Sequence, residues 1–412
     1  MSQRTEHPSA ADTPPAGDDH APLMPSRRNL LKGAGVTAAT VVVAGAGVGS
    51  YRAFDNGVLN AGEGAAYDPW RHWRNDPGPL GTVGAAILAA NPHNTQPWAF
   101  QVAGSGVDVF ADASRRTGAL DPLGRETQVG LGCALENLVL AAQARGYVTR
   151  VTLMPVPGDP THVARVGLAP ATIPPVSPLY QAIGRRHSNR GPYRSQPVPG
   201  EMLTALTRLG DGLPGTQVRW FTGPVERARL GALLVEAATA IVADRQQSVD
   251  GFAWFRSSRD AIDRHRDGLT LDGQGLSDVM TAVAKLLPTS SRSAGDQFWL
   301  DQTRTVHTKT AAAYGMVTVA DPDDPVQRLT GGRLLERIHL AATVRGLALQ
   351  HMNQITERVD REASLGRPAS FGPRVQALLA QPGQRALATF RVGYPIRTAR
   401  LSPRRPVEDV AR

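Results

Sequence analysis

The sequence predicts an α+β protein built from two lobes, and three observations carry this. The 412-residue chain is too long for one ordinary core, but it can bury a large one if it folds as two similar units. Helical and strand-like periodicities alternate along most of its length. A Pro-rich stretch, 155–178, divides the patterned part in two. Hydrophobic residues at 41% and charged residues at 20% are those of an ordinary globular protein.

Residues 1–25 are rich in Pro, Ala, Ser and Asp without apolar periodicity, and they read as a disordered region with Met24 as a second candidate start. Ser26-Arg27-Arg28-Asn29-Leu30-Leu31-Lys32 then precedes an apolar run of small residues from Gly33 to about Ser50. Two arginines before such a run are the pattern of a twin-arginine signal, so 26–55 is expected to engage the twin-arginine translocation machinery. Export by that route delivers a folded protein to the periplasm, envelope or exterior. Gly and Ala dominate the run and Leu is absent, which makes it a weak anchor, and no clean cleavage site follows. An uncleaved signal would tether the protein to the membrane. Gly33-Ala-Gly35-Val-Thr-Ala38 has the letters of a dinucleotide fingerprint, but no strand precedes it and no βαβ unit surrounds it.

Lobe one, 80–170, is expected to hold a helix at Gly84–Ala90 and a hairpin of Ala99–Val102 with Val107–Ala111. An amphipathic helix, Gly130–Arg145, closes at Gly146 and leads into a strand, Val148–Met154. The segment Pro155–Pro178 reads as a linker. Lobe two, 179–412, opens with a helix near Leu179. Its further helices are Val225–Ala243, Ser277–Leu286, Gly332–Arg345 and Pro373–Ala380, with strands Gln217–Phe221 and Ala386–Tyr394. The polar stretch 245–293, Gly-rich in its middle, reads as an inserted lid. His265-Arg266-Asp267 within it matches a kinase triplet in letters, but no glycine-rich nucleotide loop accompanies it.

The net charge of +9 comes almost wholly from arginine, since Lys occurs only at 32, 285 and 309. The basic residues are scattered and never interleave with aromatics, which argues against a nucleic-acid partner. The single cysteine, Cys133, excludes an internal disulfide and a multi-cysteine metal site, and it reads as a packed core thiol. No Ser-His-Asp set or metal cluster is evident, so no side chain is assigned as a catalytic nucleophile or metal ligand.

Two segments hold polar groups that a plain core would not choose. In Asn91-Pro92-His93-Asn94-Thr95-Gln96-Pro97-Trp98 the prolines fix the backbone while Asn94 and Gln96 offer amide donors and acceptors beside an aromatic wall. Such a loop can bind the polar edge of a flat heterocycle, or it can be a tight turn that satisfies its own backbone. In Ile183-Gly-Arg185-Arg186-His187-Ser188-Asn189-Arg190-Gly191, three arginines, a histidine and a serine at a helix end can surround a phosphate. On a continuing helix Arg186 and Arg190 would share a face; the alternative is a solvated basic surface.

These segments carry a resemblance to the nitroreductase superfamily. Asn94-Thr-Gln96-Pro97-Trp98 resembles the segment whose asparagine touches the flavin ring. Arg186-His187-Ser188-Asn189-Arg190 resembles the segment that binds the phosphate and ribityl chain of flavin mononucleotide (FMN). Arg391-Val-Gly-Tyr-Pro with Pro403-Arg404-Arg405-Pro406 resembles the closing strand and last basic pair, and Arg333–Leu347 the late helix-Gly-Leu block. The twin-arginine start points to the signal-associated, Acg-like branch. The resemblance implies FMN, held by Asn91, Pro92, Asn94 and Gln96 at the ring and by Arg186, His187, Ser188, Arg190, Arg404 and Arg405 at the phosphate. It also implies NAD(P)H as electron donor and two-electron reduction of a nitroaromatic, quinone or related small-molecule acceptor. The alternative is a protein that sequesters FMN with little turnover. The segment order is reversed relative to the family, whose members are homodimers sharing FMN across their interface. A fused pseudo-dimer explains this order: one composite site within a single, monomeric chain, its mirror-related site decayed.

Overall fold

The structure, a computed structural model, describes residues 57–412 apart from 59 and 172–175. The disordered region, the twin-arginine segment and the rejected glycine fingerprint lie outside the described residues.

Alternating apolar residues build a first sheet from β1 (Trp98–Ala103), β2 (Gly106–Ala111), β3 (Tyr147–Leu153) and β4 (His162–Pro170). Its order is β1-β2-β4-β3, with every neighbour antiparallel. A 20-residue helix, α1 (Arg125–Ala144), runs between β2 and β3. The strand β4 corrects the linker expected at Pro155–Pro178. Its residues His162-Val-Ala-Arg-Val-Gly-Leu carry no proline, so the strand can accept and donate on both edges, and Pro170 falls at its end.

The second sheet has the same plan. It contains β5 (Thr216–Phe221), β6 (Ala313–Val319), β7 (Ala348–His351) and β8 (Arg385–Gly393), ordered β5-β6-β8-β7 and antiparallel throughout. Helix α2 (Pro224–Ala243) follows β5, and another 20-residue helix, α3 (Pro325–Val344), runs between β6 and β7. Where lobe one joins its first two strands by a turn at Gly104, lobe two inserts residues 222–312. The lid expected at 245–293 lies in this insertion and is helical, at Arg245–Phe252, Arg259–His265 and Asp278–Leu286, followed by Arg292–Gln302. Central strand β6 escaped the sequence reading because all seven of its residues are buried, which leaves no alternation to detect.

Helices α1 and α3 pack on each other through reciprocal glycines. A Cβ on Gly132 would lie 2.2 Å from the Leu329 carbonyl oxygen, and one on Gly332 would lie 2.1 Å from that of Val129. The two helices can therefore approach this closely only without side chains at 132 and 332. The contact pairs positions 200 apart, and the sequences agree at that offset in Gly132/Gly332, Leu135/Leu335, Glu136/Glu336, Leu140-Ala-Ala/Leu340-Ala-Ala and Arg145-Gly/Arg345-Gly. After β8 the chain crosses back to lobe one. Phe100 N–H donates to the Val410 carbonyl (2.8 Å) and Arg412 N–H to that of Phe100 (2.9 Å), which extends the first sheet beyond β1.

Candidate functional site

The loop at 91–97 is bent by unusual backbone angles. His93, Asn94 and Gln96 take left-handed φ values of 47°, 56° and 52°, a conformation that costs non-glycine residues energy unless their surroundings enforce it. The enforcement is visible. Asn91 Oδ1 accepts from Gln96 N–H (2.8 Å), and Asn91 Nδ2 donates to the Ala89 carbonyl (3.1 Å). Asn94 Nδ2 donates to the carbonyls of Gly268 (3.1 Å) and Pro403 (2.8 Å), while its Oδ1 accepts from Arg404. Gln96 Nε2 donates to the Arg266 carbonyl (2.8 Å), and its Oε1 accepts from Arg405 N–H (2.8 Å). Asn94 and Gln96 thus tie the insertion and the C-terminal segment to lobe one. Neither is among the residues that line the cavity described below, and both amides are engaged within the protein, where they were expected to face a ligand.

The basic segment also divides. Its helix ends at Ala182, a short turn covers Ile183–Arg185, and Arg186 is extended (φ −76°, ψ 113°), so Arg186 and Arg190 share no helical face. Arg186 is buried against Glu336, Nε to Oε1 at 3.1 Å, and donates to the Leu88 carbonyl (2.8 Å). Glu336 is fully buried, so its carboxylate needs that guanidinium. His187 packs edge-on to Trp70, and burial, then Arg186, lowers its pKa to about 3. Arg404 lies over the Trp70 ring (4.8 Å) and donates to the Ala89 carbonyl (3.2 Å), and Arg405 donates to the Asp409 carbonyl (2.7 Å). Arg186, His187, Arg404 and Arg405, expected at the phosphate, are not among the residues lining the cavity described next, and each packs on groups of the protein itself.

Asn91, Pro92, Ser188 and Arg190 do line one cavity of about 270 Å³, where the loop of lobe one meets the basic segment of lobe two. Helix α1 gives it a continuous face, Glu126, Val129, Gly130 and Cys133 at helical spacing. A Cβ at Gly130 would come within 3.0 Å of Pro92 Cδ, so glycine there lets the loop sit against the helix. The start of α4 (Gln354–Ser364) contributes Gln354 and Glu357, and the insertion supplies an aromatic wall of Phe252, Phe255, Phe298 and Trp299. Those aromatics were a sequence signal that the reading passed over, being bulky apolar residues in an otherwise polar stretch.

The electrostatics are uneven. Arg190 donates to the Gly273 carbonyl (3.1 Å) and makes no ion pair, and buried Arg391 and Arg404 also lack a carboxylate partner among the described residues. Burial neutralises the nearby histidines, lowering His93 to about 4 and His351 to about 3. Burial instead raises the cavity carboxyls, Glu126 well above the usual range and Glu357 to about 8. Four cavity-lining side chains keep a buried polar atom without a partner: Glu126 Oε1, Gln247 Nε2, His351 Nε2 and Gln354 Oε1. A mixed set of unpaired donors and acceptors beside unpaired arginine suits a polar, flat, anion-bearing ligand. Among the described residues no group of three or more His, Cys, Asp or Glu side chains could hold a metal ion.

No protein-family model matches the chain. Two proteins from Mycobacterium tuberculosis strains CDC 1551 and H37Rv, provisionally named NAD(P)H nitroreductases, are 27% identical over 271 residues, covering 64% of this chain and 72% of each relative. The Acg protein of the same organism, given the same provisional name, is 31% identical over 131 residues, 30% of this chain and 40% of its own. Among solved structures, FMN- and NADPH-dependent NfnB from Sphigopyxis sp. strain HMH aligns with 56% of this chain and 96% of its own at 19% identity and a TM-score of 0.37. FMN-dependent NfnB from Mycobacterium smegmatis aligns with 57% and 98% at 18% identity and a TM-score of 0.36. Superpositions that loose add nothing to the kinship in sequence.

Proposed function

The chain belongs to the nitroreductase superfamily, and on that premise we propose that the cavity between its lobes binds FMN and that the protein is an FMN-dependent NAD(P)H oxidoreductase. The observation that carries this reading is the cavity wall itself. The Asn91–His93 loop of lobe one and Ser188 and Arg190 of lobe two meet there, beside buried polar atoms that lack partners. The residues present fit the cofactor. Arg190 and the Ser188 hydroxyl can bind a phosphate with charge-assisted bonds, and the unpaired amide and imidazole groups suit a ring that carries both donors and acceptors. When bound, FMN supplies two-electron transfer between the nicotinamide and an acceptor. The chain's part is to bind, orient and exclude water, the last through the aromatic wall of the insertion.

The acceptor in this reading is a nitroaromatic, quinone or related small molecule. The matching sheet orders and the reciprocal glycines support a fused pseudo-dimer with one composite site per chain. Arg27-Arg28 and the apolar run after them support twin-arginine export of the folded, flavin-loaded protein. A second reading, sequestration of FMN, is favoured by the aromatic wall that the insertion's Phe252, Phe255 and Trp299 place along the cavity.

The visible spectrum of the purified protein tests the proposal. Flavin bands that bleach with NADPH and return with a nitro or quinone acceptor support the oxidoreductase. Bound flavin that NADPH and dithionite reduce only very slowly supports sequestration. A colourless protein that takes up no added FMN overturns both.

A further inference from the structure

Helix α1 begins with two of its N-terminal donors capped by a side chain. Asp121 accepts from the backbone N–H groups of Glu126 (3.0 Å) and Thr127 (2.8 Å) and from Thr127 Oγ1 (2.8 Å). The Glu126 side chain is therefore not needed as a cap. It turns into the cavity, where Oε2 accepts from Asn353 Nδ2 and buried Oε1 has no partner. Glu357, in the first turn of α4, lines the same cavity and makes no side-chain hydrogen bond or ion pair among the described residues.

Among the described residues neither carboxyl has an ion-pair partner, and the arginines next to them in sequence are engaged by other groups. Arg125, next to Glu126, is bound to Asp360 through Nε at 2.8 Å and again through Nη2. Arg358, next to Glu357, reaches Asp244 (3.4 Å) and Gln247 Oε1 (2.6 Å) in the insertion. Asp121 and Asp360 add further negative charge from the other side, and both raise Glu357. Two buried carboxyls facing one cavity without a direct ion pair do not both ionise at neutral pH, because each disfavours the other's charge. Burial acts in the same direction, and Glu357 lifts Glu126 further.

We propose that Glu126 and Glu357 form an acidic pole of the cavity that keeps one proton between them, donates a hydrogen bond to a neutral or cationic acceptor molecule, and turns anionic acceptors away. This rests on reading the cavity as the place where the electron acceptor is admitted. A pair with one proton offers both an O–H donor and a residual negative charge. It therefore suits a nitro or carbonyl oxygen on an uncharged or amine-bearing ring and repels a ring that bears a carboxylate. Arg190 lies on the same cavity and provides the separate anion-binding feature assigned above to phosphate.

The test uses three matched ligands on the full chain with its flavin: 4-nitrobenzamide, 4-nitrobenzylamine and 4-nitrobenzoate, with dissociation constants from calorimetry at neutral pH. The wild-type protein is expected to bind the amide and the amine roughly tenfold or more tighter than the carboxylate. The Glu126→Gln, Glu357→Gln double variant should bring the three affinities within about threefold of one another. Its infrared spectrum should also lose the carbonyl band of a buried protonated carboxylic acid. Each single variant provides the same comparison if the double variant does not fold. Identical affinity ratios in wild type and variants, or no such infrared band in the wild type, overturns the proposal. Flavin content of the same samples separates the two readings. A colourless protein with charge preference intact overturns flavin binding alone, and a yellow protein without that preference overturns the acidic pole alone.

Discussion

Gly132 and Gly332 face each other across the centre of the molecule, each against the backbone of the other's helix. Added Cβ atoms would stand 2.2 Å from the Leu329 carbonyl oxygen and 2.1 Å from that of Val129. These are backbone atoms and cannot turn aside as a flexible side chain would. Gly132→Ala or Gly332→Ala is therefore expected to destabilise the fold by at least about 1–3 kcal/mol, the usual cost of overpacking a core. Urea unfolding checks this, and two alanine variants as stable as wild type would disprove the close approach.

Arg186 and Arg190 are expected to fail differently. Removing Arg186 strands Glu336, fully buried, without its cation, so Arg186→Ala should lower stability by about 3–5 kcal/mol. Arg190 pairs with no carboxylate among the described residues, so Arg190→Ala should unfold near the wild-type temperature. Its FMN affinity should instead fall at least about tenfold with riboflavin affinity little changed, since only FMN carries the phosphate. Thermal melts together with titrations of both flavins distinguish the two variants.

Glu357 makes stability depend on pH in a definite direction. Its pKa is raised from 4.5 unfolded to about 8 folded, so between those values the folded state binds the extra proton. The stability it contributes is complete below the unfolded pKa and is lost as pH rises through about 8. Unfolding of the flavin-free protein should become easier from about pH 5 to 8. Glu357→Gln should flatten that slope, and a slope unchanged by the substitution would count against the shift.

One flavin per chain is the expected stoichiometry. Glu136 and Glu336 occupy matching positions on α1 and α3, but their surroundings differ. Glu136 is closed by Arg333 (2.7 Å) and Arg337 (2.6 Å), whereas Cys133 and Asn137 hold the corresponding positions near Glu336. Cys133 lines the cavity, while Arg333, at the matching position, is paired to a buried carboxylate, so the one-site reading expects no second pocket there. Flavin absorbance per chain checks the number; a value of two would sink the composite-site reading.

Much of the fold was legible where side-chain period and burial agree. The hairpin at 98–111 and the long helix after β5 lie within one residue of their expected bounds, and α1 ends one residue from its expected end but starts five residues earlier than expected. Strands β4, β6 and β7 were not read: flanking prolines disguised the first, burial on both faces erased the alternation of the second, and the third has only four residues, three of them buried. The internal repeat was present in the letters at an offset of 200 residues, but it becomes conspicuous only once α1 and α3 are seen to touch.

The site divides in the same way. The sequence by itself singled out two segments that the fold brings to one cavity, because Asn91-Pro92 and Ser188–Arg190, a whole lobe apart, both carry polar groups that a core would reject. Tertiary structure alone decided which of their side chains face the cavity. Arg186 was claimed by Glu336, Asn94 and Gln96 by the insertion and the C-terminal segment, and Arg404 by Trp70. Glu126 and Glu357 could not be singled out beforehand, since in a linear chain each is an ordinary acid in the first turn of a helix. A buried charge takes the nearest partner in space, and neither a partner's presence nor its absence is visible in one dimension.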